Sequence, residues 1–206
     1  MPLSLPAIRT LNAEIASSFS HPPVAVFLGG TSGIGEGMVR TLAKHTKGNS
    51  NIIIVGRNKA AAEEILASLP PSPPGVKREF IQCDATLMKN ISATTKQILT
   101  RYPKINYLVM SPGIMTLSGR DETTEGMDKK LAVHYYSRWK FLYDLLPALE
   151  SANQAGEAAT VVSVHAAGKG GAIDLNDLDL KKSYSNPRMA LTTPTYNDLM
   201  MEVRLL

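Results

Sequence analysis

The chain has 206 residues, 44% hydrophobic and 19% charged, a composition that excludes disorder and, at this length, argues against two full domains. Its net charge of +4 comes from 22 Lys and Arg against 18 Asp and Glu, and because the basic residues are scattered they read as a solvated face, with no nucleic-acid partner predicted. No apolar run approaches the ~18 residues of a membrane span, and Arg9, Asn12 and Glu14 interrupt the segment where a signal peptide would be apolar, so no membrane contact and a cytoplasmic setting are expected.

In chain order, residues 1–22 read as an amphipathic helical extension. The apolar run VAVFL (24–28) breaks into GGTSGIGEG and then into MVRTLAKHT, whose apolar residues recur at helical spacing, giving strand, glycine-rich turn and helix. NIIIV (51–55) is a second buried strand, followed by the helical NKAAAEEILASL and the loop PPSPPG. VKREFIQCD supplies a third strand, in which the lone Cys83 is a small buried hydrophobe and a mark of a reducing setting. LMKNISATTKQILTRY is a third helix and INYLVM (105–110) a fourth strand. A long helical stretch over 124–150 leads to a fifth strand, ATVVSV (159–164), then to a long loop over 168–195, with a final helix opening near Tyr196.

Five near-continuous apolar strands separated by helices predict an α/β fold: one doubly wound, Rossmann-like parallel sheet over residues 1–206, covered by helices on both faces. Ligands of such sheets bind beyond the carboxyl ends of the strands, where strand order reverses. Gly29, Gly33 and Gly35 follow the first strand and open the first helix. There they either make a tight turn alone or let the backbone approach a pyrophosphate held by free N–H groups and the helix dipole. After the second strand, Gly56 and Arg57 stand where an NAD-selective site carries an acid. A guanidinium can pair with a 2′-phosphate, so NADP is favoured over NAD, unless Arg57 is simply an exposed strand-end residue. Asp84 either hydrogen-bonds an adenine or caps the helix that follows.

With these residues in place the chain resembles the short-chain dehydrogenase/reductase (SDR) superfamily. The resemblance rests on LGGTSGIG (28–35), the basic GRN after the second strand, CD after the third, SPG (111–113) after the fourth and VVSVHAAG (161–168) at the fifth. IDLNDLDLKKSYS resembles the insertion of retinol-dehydrogenase-type members, and LAVHYYSRW resembles an SDR-like group of filamentous fungi associated with secondary metabolism. The resemblance implies a bound NADP, contacted by Gly29, Thr31, Ser32, Gly33, Ile34, Gly35, Arg57, Asn58, Asp84, Ser111, Gly113 and Tyr196, a small-molecule substrate and no metal.

It also implies a tyrosine that exchanges a proton with a carbonyl or alcohol, helped by a lysine, a serine and an asparagine. The tyrosine maps onto Tyr196, but the lysine position is Met200, the serine position His165 and the asparagine position His134. A cation about 4 Å from a phenol at an effective dielectric of about 20 is worth roughly 4 kcal/mol, and Met200 supplies none of it. Alcohol oxidation, which needs a tyrosinate, suffers most, so the expected reaction is carbonyl reduction. His165 either shares the proton with Tyr196 or is a satisfied polar residue, and His134 reads as structural more than catalytic. A non-redox isomerase, dehydratase or cyclase and an inactive nucleotide-binding paralogue stay open. The chain stops about ten residues after Tyr196; the last strands of the usual SDR fold are expected to be missing, the fifth strand is left as an edge, and a homo-oligomer is predicted.

Overall fold

A computed structural model describes residues 3–17, 19–166 and 168–202. Residues 1, 2, 18, 167 and 203–206, among them parts of the predicted N-terminal extension and one residue of the 161–168 segment, lie outside the described residues. The elements are α1 (Leu5–Ser17), β1 (Val24–Leu28), α2 (Gly33–His45), β2 (Asn51–Gly56), α3 (Lys59–Ser68), β3 (Arg78–Gln82), α4 (Met88–Leu99), β4 (Tyr107–Met110), α5 (Lys129–Leu131), a π-helical turn (Ala132–Tyr136), α6 (Ser137–Gln154), β5 (Thr160–Ser163) and α7 (Asn186–Glu202).

All strand pairs are parallel, in the order β3-β2-β1-β4-β5. Both faces of the central strands are buried, which is why they read as unbroken apolar runs. Along β1, Val26 and Leu28 join one core layer while Ala25 and Phe27 join the other, the alternation a pleated strand imposes. The first layer is filled from α4, α6 and α7 by Ile91, Ile98, Phe141, Leu145, Leu149 and Met200; the second is filled from α2 and α3 by Val39, Ala43, Ala62 and Ile65. Strand order reverses between β1 and β4, so the crevice beyond their carboxyl ends opens between Gly29 and Ser111.

Two element boundaries differ from the sequence reading. The helical stretch expected over 124–150 begins at Lys129, behind a tight turn, and runs to Gln154. The last helix opens at Asn186, ten residues ahead of Tyr196, so the preceding loop is correspondingly shorter. Pro187 sits in the first turn of that helix, where no N–H is missed, and Pro194 is buried inside it.

Candidate functional site

The turn after β1 is built around glycine. Gly29 has φ +87°, and a Cβ on it would lie 2.8 Å from the backbone of Ser111 and Pro112. A Cβ on Gly35 would lie 2.2 Å from the Gly29 carbonyl oxygen and 2.6 Å from Ser111 Oγ, so no side chain fits where helix and strand meet. Gly33, at φ +58°, faces open space. Ser32 caps α2 without a side-chain hydrogen bond, leaving the first-turn N–H groups free to receive an anion, and Ile34 is exposed at that helix start. The adjoining cleft, about 170 Å³, is walled by Gly29, Thr31, Ser32, Gly56, Arg57, Asp84, Ser111 and Gly113 among others. This donor set, with one guanidinium at the end of β2 and one carboxylate at the end of β3, fits a dinucleotide.

Two expected contacts have other partners. Asn58 is the N-cap of α3, accepting from the Ala61 N–H at 3.1 Å. Asp84 is not the cap of α4: its carboxylate accepts from the Thr86 N–H and hydroxyl at 3.0 and 2.8 Å. That helix is capped from a distant loop, where the Glu125 carboxylate accepts from the Met88 and Lys89 N–H groups at 2.7 and 3.1 Å, a favourable place for negative charge.

A second cavity of about 440 Å³ shares Ser111, Pro112, Gly113 and Ile114 with the cleft. Its wall adds Lys130, His134, Arg138, His165, Asn186 and Asn197. The π-helical turn carries His134 into this wall, a common use of an inserted residue. His134 Nε2 donates to the Ile114 carbonyl at 2.9 Å. Burial lowers its pKa below the usual histidine value, against the opposing effect of that hydrogen bond, and the Arg138 charge adds to the lowering. His165 Nε2 lies 3.8 Å from Asp198 Oδ1, and its Nδ1 is buried without a partner.

Tyr196 stands elsewhere. Asp198 is turned toward His165, and residues two apart on a helix point to opposite sides, so Tyr196 is turned away from it. Its hydroxyl donates to the Leu178 carbonyl at 3.0 Å and its ring packs 5.0 Å from that of Tyr135. Burial raises its pKa. Four residues on, Met200 is 3% exposed and belongs to the hydrophobic core. The pair Tyr196 and Met200 is therefore a core-facing row of α7, and the geometry does not bring Tyr196 to the cavity with His165 and His134.

The sequence reading missed Tyr184. It lies two residues before α7, and its hydroxyl oxygen accepts from Lys130 Nζ at 2.9 Å. That ammonium also donates to the Ser118 and Gly119 carbonyls and to Asn186 Oδ1, and it sits 5.3 Å from the Tyr184 ring centroid. Tyr184 is thus one hydrogen bond from two side chains of the cavity wall, Lys130 and Asn186. A signal was present: Tyr184 is followed four residues later by a cation, Arg188. It was hidden because the helix was started ten residues late.

Comparisons with known proteins agree with this geometry. The sequence profile of the family described as short chain dehydrogenase matches residues 23–173. The chain is 38% identical over 197 residues to an oxidoreductase of Emericella nidulans, AN1596, covering 95% of this chain and 58% of the relative. To the oxidoreductase andH of Emericella variicolor it is 35% identical over 188 residues, covering 91% and 53%. It therefore spans little more than half the length of these relatives. Among solved structures, a metagenomic short-chain oxidoreductase in complex with NADP superimposes with a TM-score of 0.62 at 21% identity, covering 88% of this chain and 75% of the other. With its glycine turn, switch-point crevice and parallel sheet, the chain belongs to the short-chain dehydrogenase/reductase family.

Proposed function

We propose that this chain binds NADP and takes part in reducing a carbonyl of a small metabolite, with Tyr184 as proton donor. The observation that carries this reading is the adjacency of the two spaces: the cleft beside the start of α2 shares the Ser111–Ile114 wall with the cavity that Lys130, His134 and His165 line. Gly29, Ser32, Gly35, Arg57 and Asp84 would hold the dinucleotide, and the nicotinamide, when bound, supplies the hydride. Lys130 donates to the Tyr184 oxygen and so stabilises negative charge gathering there as the phenol gives its proton to a carbonyl oxygen. His134, whose pKa burial lowers, donates to the Ile114 carbonyl next to the SPG loop. His165, whose Nδ1 has no partner, is a further polar group on that wall.

Arg57 supports NADP over NAD, because at the end of β2 the cleft wall carries Gly56 and this guanidinium in place of an acidic residue. Nucleotide fluorescence titrations of NADPH and NADH are the test. NADPH should bind at least about tenfold more tightly, and Arg57→Glu should erase or reverse the preference. Failure to bind either nucleotide would remove the reading, and turnover of a carbonyl compound with no loss of NADPH absorbance would replace it by non-redox proton transfer. The same reading includes a homo-oligomer, supported by apolar residues exposed on α6 and α7.

A further inference from the structure

The cavity holds two buried cations and no buried anion. Arg138 is 2% exposed and Lys130 3%. Neither takes part in any ion pair among the described residues, and none of the residues lining the cavity is an aspartate or glutamate. Burying a charge without a counter-charge is costly even when its hydrogen bonds are met. Lys130 meets its own, on four neutral oxygens. Arg138 does not.

The guanidinium has five N–H groups. Nη1 uses two, on the Met110 carbonyl at 3.0 Å and Ser163 Oγ at 2.7 Å; Nη2 uses one, on the Pro112 carbonyl at 2.8 Å. Nε is buried without a partner. These bonds pin the carboxyl ends of β4 and β5 together and hold the side chain rigid. What remains is Nε–H and a second Nη2 proton, the side-on fork that matches the two oxygens of a carboxylate. His165 Nδ1 is also buried and unpartnered, on the wall of the same cavity.

We infer that the cavity takes a substrate bearing a carboxylate, received by the free edge of Arg138, next to the carbonyl that is reduced. This deepens the reductase reading and rests on it for the reaction, while the anion site itself is a property of the folded chain. A neutral carbonyl compound of the same shape leaves the guanidinium edge unpaired and the local charge unbalanced, so discrimination runs against the amide or ester of the same acid.

The test is calorimetric binding to the whole chain, without nucleotide and again with oxidised NADP, using phenylglyoxylate and its neutral amide as probes. Phenylglyoxylate should bind about tenfold or more tightly than the amide, the size expected for a charge-assisted two-point contact over a neutral one. Arg138→Met should erase that preference and Arg138→Lys should keep part of it. Should Arg138→Met fail to fold, the partial loss of the preference in Arg138→Lys carries the test, and an undiminished preference in that variant overturns the inference. Equal binding of acid and amide, or binding of neither probe, overturns the inference. Loss of NADPH binding with a retained preference for the acid would instead count against the reductase reading alone.

Discussion

A tyrosine serves proton transfer only if its hydroxyl can exchange its present partner for a substrate oxygen, and Tyr184, just ahead of the last helix, differs in this from Tyr196 within it. Tyr196 is 7% exposed, with its hydroxyl committed to a backbone carbonyl inside the packed layer. Tyr184 is half-buried beside a cavity-lining ammonium. Tyr184→Phe should lower kcat by about 10²–10⁴-fold with NADPH affinity unchanged, the range for losing a general acid. Tyr196→Phe should leave kcat within a few-fold and cost about 1 kcal/mol of stability, the net value of one buried hydrogen bond. Steady-state kinetics and urea unfolding of both variants decide it, and the reverse pattern would restore Tyr196 to the role. His134 makes a pH prediction. Its folded pKa lies below its ordinary 6.5, so near that pH the unfolded chain binds more protons than the folded one. Stability from this group is complete above about 6.5 and falls as pH drops below it, by up to about 1.4 kcal/mol per unit until the folded pKa is reached. His134→Gln keeps a donor for Ile114 and cannot titrate; the wild-type minus variant difference in urea midpoints should shrink with acidification, and a flat difference would contradict the shift.

At the scale of elements, local signals located the strands and long-range contacts set the helix ends. The Glu125 cap on α4 comes from 37 residues downstream. Glu125→Ala should lower stability by about 1 kcal/mol with an unchanged denaturant slope, whereas no change would mean that water replaces the carboxylate without loss. The start of α7 is fixed in the same way, by Asn186, which accepts from Lys130 and donates to the Leu117 carbonyl. No spacing rule applied to residues 184–196 reveals those partners. The π-helical turn at Ala132–Tyr136 was equally hidden, because it inserts one residue without changing the apolar character of the stretch. By contrast VAVFL and NIIIV were legible as strands, since burial on both faces demands apolar residues at every position, and the glycine turn was legible because steric closeness at Gly35 permits nothing larger. The candidate site tyrosine was the least legible part: Tyr196 and Met200 matched a spacing, but which face of a helix meets the core is decided by packing.

For the whole molecule, the alternation of strands and helices was enough to predict a doubly wound sheet, and the order β3-β2-β1-β4-β5 places its switch point where the glycine turn and the SPG loop meet. That order also makes β5 an edge. Thr160 is exposed and Val161, Val162 and Ser163 are only half-buried, so the strand presents unpaired backbone and part of its apolar surface, an arrangement that recruits a partner unless something covers it. The outer row of α7 adds Leu191 and Leu199, 43% and 45% exposed and eight residues apart on one face, and α6 adds Tyr143 at 59%. Exposed apolar residues on these two helices, together with the half-buried edge strand, are surface that a second copy can bury. Light scattering at micromolar concentration should therefore give the mass of an oligomer, and Leu199→Glu should shift it toward the monomer by placing a charge within that face. A monomeric wild-type mass would refute the association without touching the nucleotide cleft, which lies beyond the carboxyl ends of β1–β4 and is assembled within a single chain.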